Sequence, residues 1–213
     1  MPPAVLSEQS RRFWLPLDVF ERCLLTAADI ERAHDIEIQF TFDDGNQTDF
    51  DQALPRLRAH DRKATFFVCA GRLDKPGYLG RGQLRTMAAA GMTIGCHGYD
   101  HLSWPGTSDE LLRHELLDGK LAIEAALGTP IDVASAPFGA LDRRVVKAAA
   151  DAGFKCLFAS SGGFATAATG LIPRNTLKAG FEPERDMPQL VARHLRAWAG
   201  IYDTARRIKY GFY

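Results

Sequence analysis

Two adjacent carboxylates, Asp43 and Asp44, follow a run of alternating and apolar residues over 36–42 and precede Gly45. The run predicts a β-strand that ends at the two carboxylates. Neighbouring side chains at a strand end point in different directions, so the two carboxylates are able to take two different roles. Taken alone, however, Asp-Asp-Gly is also an ordinary strand-ending turn. A chemical role for this pair therefore needs support from elsewhere in the chain.

Two histidines, His97 and His101, follow another predicted strand over 92–96. Imidazole is the commonest transition-metal ligand in proteins, and this spacing sets two rings one helical turn apart if the segment is helical. Two imidazoles and one carboxylate give three protein ligands and leave a position open, which is a catalytic arrangement. The alternative is a pair of loop histidines that bond to the backbone. Together with the Asp-Asp-Gly segment, the pattern favours a metal site.

Predicted strands and helices alternate along the chain. The predicted strands are 36–42, 64–70, 92–96, 131–135, 154–160 and 171–177. This order predicts the α/β class with a parallel sheet and right-handed crossovers, as an open doubly wound sheet or a (β/α) barrel. No glycine-rich phosphate-binding motif follows the first strand, so nothing supports a nucleotide fold. In a barrel, the carboxyl ends of the strands share one face, where distant polar clusters meet.

The composition limits the classes of function. The chain has 213 residues and a formal net charge of zero, which suits one domain and offers no electrostatic case for a nucleic-acid partner. We predict a single domain over 1–213, with an N-terminal helical extension over 1–35 and a core over about 36–200. No signal peptide or membrane-spanning run is predicted, so we expect a cytoplasmic protein that does not insert into membranes. The four cysteines lack metal-binding spacing and are expected to be reduced.

Three motifs at strand ends resemble those of the polysaccharide deacetylase family, the NodB-homology domain of carbohydrate esterase family 4. Segment 41–45, Thr-Phe-Asp-Asp-Gly, is similar to the first motif, and segment 97–101 is similar to the second, H-(S/T)-x-x-H, with glycine at the hydroxyl position. Segment 136–139, Ala-Pro-Phe-Gly, resembles most of the third, R-x-P-(Y/F)-G. The resemblance covers about 36–177. It implies a deformed (β/α)7 TIM-like barrel, a divalent metal that is most often zinc, and a bacterial hydrolase that removes N-acetyl groups from aminosugars.

The same resemblance assigns roles by position. Asp44, His97 and His101 would hold the metal, which activates water for attack on the acetamide. Asp43 would be the general base that takes the proton of this water. The backbone N–H of Phe138 would stabilise the oxyanion that forms.

Two features of the family are missing. Ser135 stands where the third motif opens with the arginine that orients the catalytic aspartate, and a hydroxyl supplies no charge. Arg174 is the candidate replacement, although a surface arginine at a strand edge is the slightly favoured interpretation. The family also has a late histidine that protonates the leaving amine. After Phe138 the sequence has only His194, on a predicted peripheral helix, so the general acid is unassigned.

Aromatic residues near the motifs are candidate contacts for a carbohydrate substrate. Tyr99, Trp104 and Phe138 offer rings that could stack on a sugar, and Pro137 and Arg174 are further candidates for substrate binding. The alternative is that the aromatic residues only cover the mouth of the barrel.

Three alternatives to an N-deacetylase stay open. The first is hydrolysis of another non-peptide C–N bond, in a small amide or ureide. The second is a degenerate glycan-binding module without activity, which the two missing family features would support. The third is a non-haem iron oxygenase, because two histidines and one carboxylate also form its metal site. The alternating order of strands and helices weighs against this last class.

Overall fold

The computed structural model describes residues 11–165 and 170–195. Within them, one sheet contains six parallel strands in the order of the chain. They are β1 (Phe40–Phe42), β2 (Ala64–Val68), β3 (Thr93–Cys96), β4 (Val133–Ser135), β5 (Cys156–Ala159) and β6 (Gly170–Pro173). The sheet curls into a half-barrel of the TIM-like α/β class, which confirms the predicted fold class, with six strands in the described residues where the resemblance implies seven.

Helices run between the strands and cover the sheet. They are α1 (Leu17–His34), α2 (Leu54–Ala59), α3 (Arg81–Ala89), α4 (Asp109–Arg113), α5 (Gly119–Leu127), α6 (Arg143–Asp151) and α7 (Pro183–Leu195). Two π-helical segments, Asp49–Ala53 and His114–Asp118, precede α2 and connect α4 to α5, respectively. Short 3-10 turns, Ala70–Arg72 and Pro137–Gly139, follow β2 and β4. None of the helices in the described ranges has both the length and the apolar character needed to span a membrane.

The sheet is buried on both faces because helices cover its outside and side chains fill its inside. Phe66 of β2 belongs to the large core between the sheet and the helices. Its neighbour Phe67 points to the other face and packs with Phe158 and Ile172 in a second apolar cluster. A Cβ at Gly95 of β3 would lie 2.6 Å from Cδ1 of Phe67, so this strand needs glycine to accommodate the ring.

The first strand is shorter than the 36–42 run predicts. The backbone N–H of Ile38 donates to Glu31 of α1 at 2.7 Å. This N–H therefore bonds to a side chain and not to a neighbouring strand. The same helix buries an apolar face in the main core, formed by Phe20, Cys23, Leu24, Ala27 and Ile30. Arg22 on its outer side pairs with Glu182 and Glu184, next to and within α7.

Some predictions concern residues outside the described ranges. The predicted final turn over 204–210 and the last part of the predicted helix over 184–200 both lie there. The division into an extension over 1–35 and a core over about 36–200 stays a prediction. All four cysteines are reduced thiols, as the sequence predicts.

Candidate active site

The two carboxylates occupy a tight turn directly after β1. Asp44 has a φ of 77° and Gly45 a φ of 70°, so two successive residues adopt the left-handed conformation. A Cβ at Gly45 would lie 2.8 Å from Cγ1 of Val68 in β2, which leaves room only for glycine. The turn separates the two side chains, and Asp43 and Asp44 consequently have different partners.

Asp44, His97 and His101 bring three potential ligand atoms within 4.8 Å of one another. Oδ1 of Asp44 lies 3.2 Å from Nε2 of His101 and 3.9 Å from Nε2 of His97. Two atoms that bind one zinc ion at about 2.1 Å each are at most about 4.2 Å apart, so both pairs fall within that span. The sequence-predicted ligands therefore lie together at the carboxyl ends of β1 and β3.

The segment 97–101 is a loop, so the condition under which its two histidines would lie one helical turn apart is not met. Gly98 and His101 both have positive φ, 85° and 64°. The loop reverses direction and brings the rings of His97 and His101 to a centroid distance of 5.0 Å. A residue other than glycine in this conformation costs on the order of 1–3 kcal/mol and persists where its surroundings enforce it.

The surroundings of the two histidines suit metal binding. Nδ1 of the buried His97 lies 2.8 Å from the backbone carbonyl of Ser135. A carbonyl can only accept, so Nδ1 carries the proton and Nε2 offers a lone pair. Burial, together with nearby positive charge, lowers the pKa of His101 to about 4, which favours the neutral imidazole that binds metals. This donor set fits a divalent ion such as zinc.

Arg174 is not a surface residue, so the slightly favoured interpretation of a surface arginine at a strand edge is wrong. Its side chain is 10% exposed and forms a bidentate pair with Asp43, with distances of 2.7 Å and 2.8 Å. It also donates to the hydroxyls of Thr41 at 3.0 Å and Ser135 at 2.6 Å. Ser135 thus accepts a bond from an arginine that a different strand provides. The strand-edge position was visible in the sequence, whereas the direction of the side chain depends on the curl of the sheet.

The surroundings of Asp43 keep its carboxyl group ionised. Burial alone would raise its pKa. Positive charge in the site, which includes that of Arg174, and the hydrogen bonds from Arg174 oppose burial and hold the pKa below its ordinary value. Nε2 of His97 lies 3.8 Å from Oδ2 of Asp43, so this carboxylate faces the cluster of potential ligands without belonging to it. A carboxylate in this position can accept a proton there.

Two neighbours of Asp44 follow β2 and were not predicted. Arg72 donates to Oδ1 of Asp44 at 3.0 Å, and the thiol of Cys69 lies 3.9 Å from the same atom. Burial raises the pKa of Cys69 well above its usual value, so its sulfur stays a thiol and does not act as a thiolate ligand. Their position just after a strand was the available signal, because Asp43, Asp44 and His97 share it.

The predicted sugar contact of Trp104 does not fit the structure. Its side chain is 0% exposed, and its Nε1 donates to Glu115 at 3.2 Å, so the ring has no free face. Pro137 is also buried. Phe138, in contrast, is 72% exposed and its ring centroid lies 4.8 Å from that of His101. Of the rings proposed for stacking, Phe138 is therefore the one open to a substrate beside the ligand cluster.

Tyr99 and Asp100 point to a histidine other than the predicted ligands. The ring of Tyr99 is half-buried and its centroid lies 4.3 Å from that of His114. A carboxylate oxygen of Asp100 lies 3.4 Å from Nε2 of the same histidine. The side chain of His194 is outside the described part of the structure.

A cavity of about 390 Å³ lies beside Arg174, near the ends of β5 and β6. Its lining is mainly polar and includes Ser160, Asn175, Thr176, Lys178, Gln189 and Arg193. Arg174 lines this cavity and binds Asp43, whereas Asp43 and the three potential metal ligands are not among the residues that line it.

Comparison with known proteins gives one family. The profile described as polysaccharide deacetylase matches residues 31–157, more than half of the chain. The peptidoglycan-N-acetylglucosamine deacetylase of Bacillus cereus is 35% identical over 119 residues, which cover 55% of this chain and 54% of that protein. The chain spans about half the length of the curated relatives that it matches.

Solved structures support the same fold. The Streptococcus pyogenes deacetylase PplD, determined in complex with acetate, superposes with a TM-score of 0.74 at 20% identity, covering 87% of this chain and 93% of that one. IcaB from Ammonifex degensii gives a TM-score of 0.69 at 20% identity, covering 88% and 91% of the two chains. At these identities the likeness concerns the fold alone.

Proposed function

The chain belongs to the polysaccharide deacetylase family, and we propose on this basis that it is a metal-dependent N-deacetylase of an aminosugar-containing glycan or glycan precursor. One observation carries the proposal. Asp43, kept ionised and held by Arg174, faces three potential metal ligands that lie within 4.8 Å of one another. A carboxylate base next to a metal site is what hydrolysis of an amide by water requires.

We propose that Asp44, His97 and His101 hold a divalent metal, most often zinc in this family. When bound, such an ion is a Lewis acid that lowers the pKa of water and polarises a carbonyl group. The proton on Nδ1 of His97, fixed by the carbonyl of Ser135, leaves Nε2 as the ligand atom.

Asp43 is the proposed general base. Its two oxygens are fixed by Arg174, so the carboxylate cannot rotate away from the ligand cluster. It accepts the proton of the attacking water as the C–O bond to the acetyl carbon forms. The protonated carboxyl group then acts as an acid and returns this proton to the amine as the C–N bond breaks, so that acetate and a free amino group leave.

Phe138 has two proposed roles. Its backbone N–H is the proposed donor to the oxyanion, and its exposed ring beside His101 is the proposed platform for a sugar. A small amide or ureide is the second candidate substrate on the same machinery.

The Asp43–Arg174 pair also weighs against a binding module without activity. Metal binding needs only one of the two neighbouring carboxylates, yet four hydrogen bonds from Arg174 to Asp43, Thr41 and Ser135 fix the arrangement around the other. A base held in this way has a role in turnover but none in simple retention of a glycan.

Asp43→Asn tests whether the protein is an enzyme. We expect the variant to bind zinc with the stoichiometry of the wild type and to release acetate from N-acetylglucosamine oligomers at least about 10²-fold more slowly. Metal content by mass spectrometry and released acetate are the two measurements. Asp51→Asn, a nearby change whose carboxylate accepts from Gln47, is the matched control and should be fully active. Undiminished acetate release by metal-loaded Asp43→Asn would rule out Asp43 as the general base.

A further inference from the structure

Glu115 is a fully buried carboxylate that the mechanism above does not use. Its side chain is 0% exposed, and it lies in the π-helical segment His114–Asp118 between α4 and α5. A π-helical turn inserts one residue into a helix and re-aims the side chains around it, frequently at functional sites. Here Glu115 points into the loop that follows β3, the loop that carries His101.

All the hydrogen bonds that the structure gives the Glu115 carboxylate come from this loop. One oxygen accepts the backbone N–H of Asp100 at 2.7 Å. The other accepts the backbone N–H of Leu102 at 3.2 Å and Nε1 of Trp104 at 3.2 Å. The two backbone donors flank His101 on both sides. The carboxylate therefore bridges the residues directly before and after a proposed ligand.

Two glycines make the close approach possible. A Cβ at Gly98 would lie 2.2 Å from Oε2 of Glu115, and the φ of Gly98 is 85°. The hydroxyl residue of the second family motif cannot occupy this position while Glu115 lies there. A Cβ at Gly119, at the start of α5, would lie 3.2 Å from the carbonyl carbon of Gly98 and 3.3 Å from the backbone nitrogen of Tyr99.

Glu115 has the properties needed to enforce the unfavourable backbone of His101. A buried carboxylate is costly unless several donors satisfy it, and this one is satisfied only when the loop adopts its observed path. His101 has a φ of 64°, a conformation that persists only when its neighbours over-determine it. The bonds on either side of His101 provide that constraint.

We propose that Glu115 is a positioning residue of the metal site: it holds the loop so that Nε2 of His101 faces Asp44 and His97. This inference rests on the metal site of the proposed function, but it does not depend on the substrate. His101 is the proposed ligand whose two neighbours bond to Glu115. Loss of these bonds should therefore weaken the metal site without removing a ligand.

Glu115→Gln tests the proposal, because an amide keeps the volume but turns one oxygen into a donor that faces N–H groups. We expect zinc affinity of the folded variant, measured by chelator competition, to fall at least about tenfold. We also expect the visible absorption spectrum of the Co²⁺-loaded protein to change, since the geometry around His101 relaxes. A role in packing alone would lower thermal stability and leave both the affinity and the spectrum unchanged.

Glu31→Gln is the matched control. Glu31 is a half-buried carboxylate that accepts the backbone N–H of Ile38 and pairs with Arg62, before β1 and away from the loop. Its loss should lower stability but leave zinc affinity and the Co²⁺ spectrum as in the wild type. Equal effects of both variants on the metal site would overturn the proposal.

Trp104→Phe provides a second variant in case Glu115→Gln does not fold. It removes one of the three donors and keeps an apolar ring, and we expect zinc affinity to fall about threefold or more. Wild-type affinity and an unchanged Co²⁺ spectrum in this variant would also overturn the proposal. Metal binding that depends on Glu115 in a protein that releases no acetate would contradict the proposed function and leave this inference standing.

Discussion

Asp43 and Asp44 are neighbours in sequence, but their partners come from different strand ends. Arg174 after β6 binds Asp43, while the histidines after β3 and Arg72 after β2 lie around Asp44. The positive φ of Asp44 turns the two carboxylates into these separate surroundings. At the scale of single residues, the proposed role of each carboxylate therefore depends on the charged groups that surround it.

Arg174→Gln tests the control of the Asp43 pKa. Arg174 lowers this pKa through its charge and its two hydrogen bonds, so the variant should raise it. The base is active when ionised, and the acidic limb of kcat/KM should therefore move to higher pH, with a fall in kcat of about 10-fold or more at neutral pH. The pH profile of acetate release is the measurement.

The control for this variant is Arg62→Gln, which breaks the partly buried pair with Glu31 outside the site. This control should leave the acidic limb of the kcat/KM profile at the same pH as in the wild type. An unshifted limb in Arg174→Gln would contradict the assignment of Asp43 as the titrating base.

His101 should make the metal-free protein sensitive to acid. Its pKa is lowered from 6.5 to about 4, chiefly by burial, so between these values the unfolded chain binds a proton that the folded chain does not. Stability should therefore fall as the pH drops from 6.5 to 4, by up to about 3 kcal/mol. Urea unfolding at several pH values measures this slope, which His101→Gln should reduce. The exposed His34→Gln should retain the wild-type slope, and retention of it by His101→Gln would contradict the account.

At the scale of elements, the strands were predictable and the loop after β3 was not. The β2 segment is apolar at every position except Thr65, which indicates a strand buried on both faces, and the structure shows every position but Thr65 buried. The spacing of His97 and His101 does not distinguish a helical turn from a loop. The positive φ of His101 depends on contacts with a distant helix, including Glu115, that no local pattern encodes.

Two glycine substitutions test the packing of the elements. Gly95→Ala should destabilise the protein by about 1–3 kcal/mol, because the new Cβ would lie 2.6 Å from Phe67 and 2.8 Å from Val133. Gly82→Ala in α3 meets no atom within 4 Å and should stabilise it by up to about 1 kcal/mol. Free energies of unfolding in urea measure both. A neutral Gly95→Ala would show that the interior of the barrel has room that the structure does not indicate.

At the scale of the whole molecule, the curl of the sheet assembles the site. β1 and β6 are the two ends of the strand order, yet Arg174 after β6 binds both Asp43 and Thr41 of the first strand end. The sequence predicted that all strand ends share one face. Its resemblance to the family's motifs predicted three metal ligands and a general base, and these roles stay predictions. It offered Arg174 as a candidate partner of Asp43 but could not decide between this contact and a surface position, and it did not predict the burial of Trp104. Both depend on how far the sheet curls and how the loops pack.

Acetate release is the measurement that tests the central claim most directly. Protein loaded with one zinc ion per chain should release acetate from N-acetylglucosamine oligomers, and removal of the metal with a chelator should abolish this release. Restoring the metal should restore it. No acetate from any N-acetylated aminosugar at full metal occupancy, or undiminished release by the metal-free protein, would contradict the account.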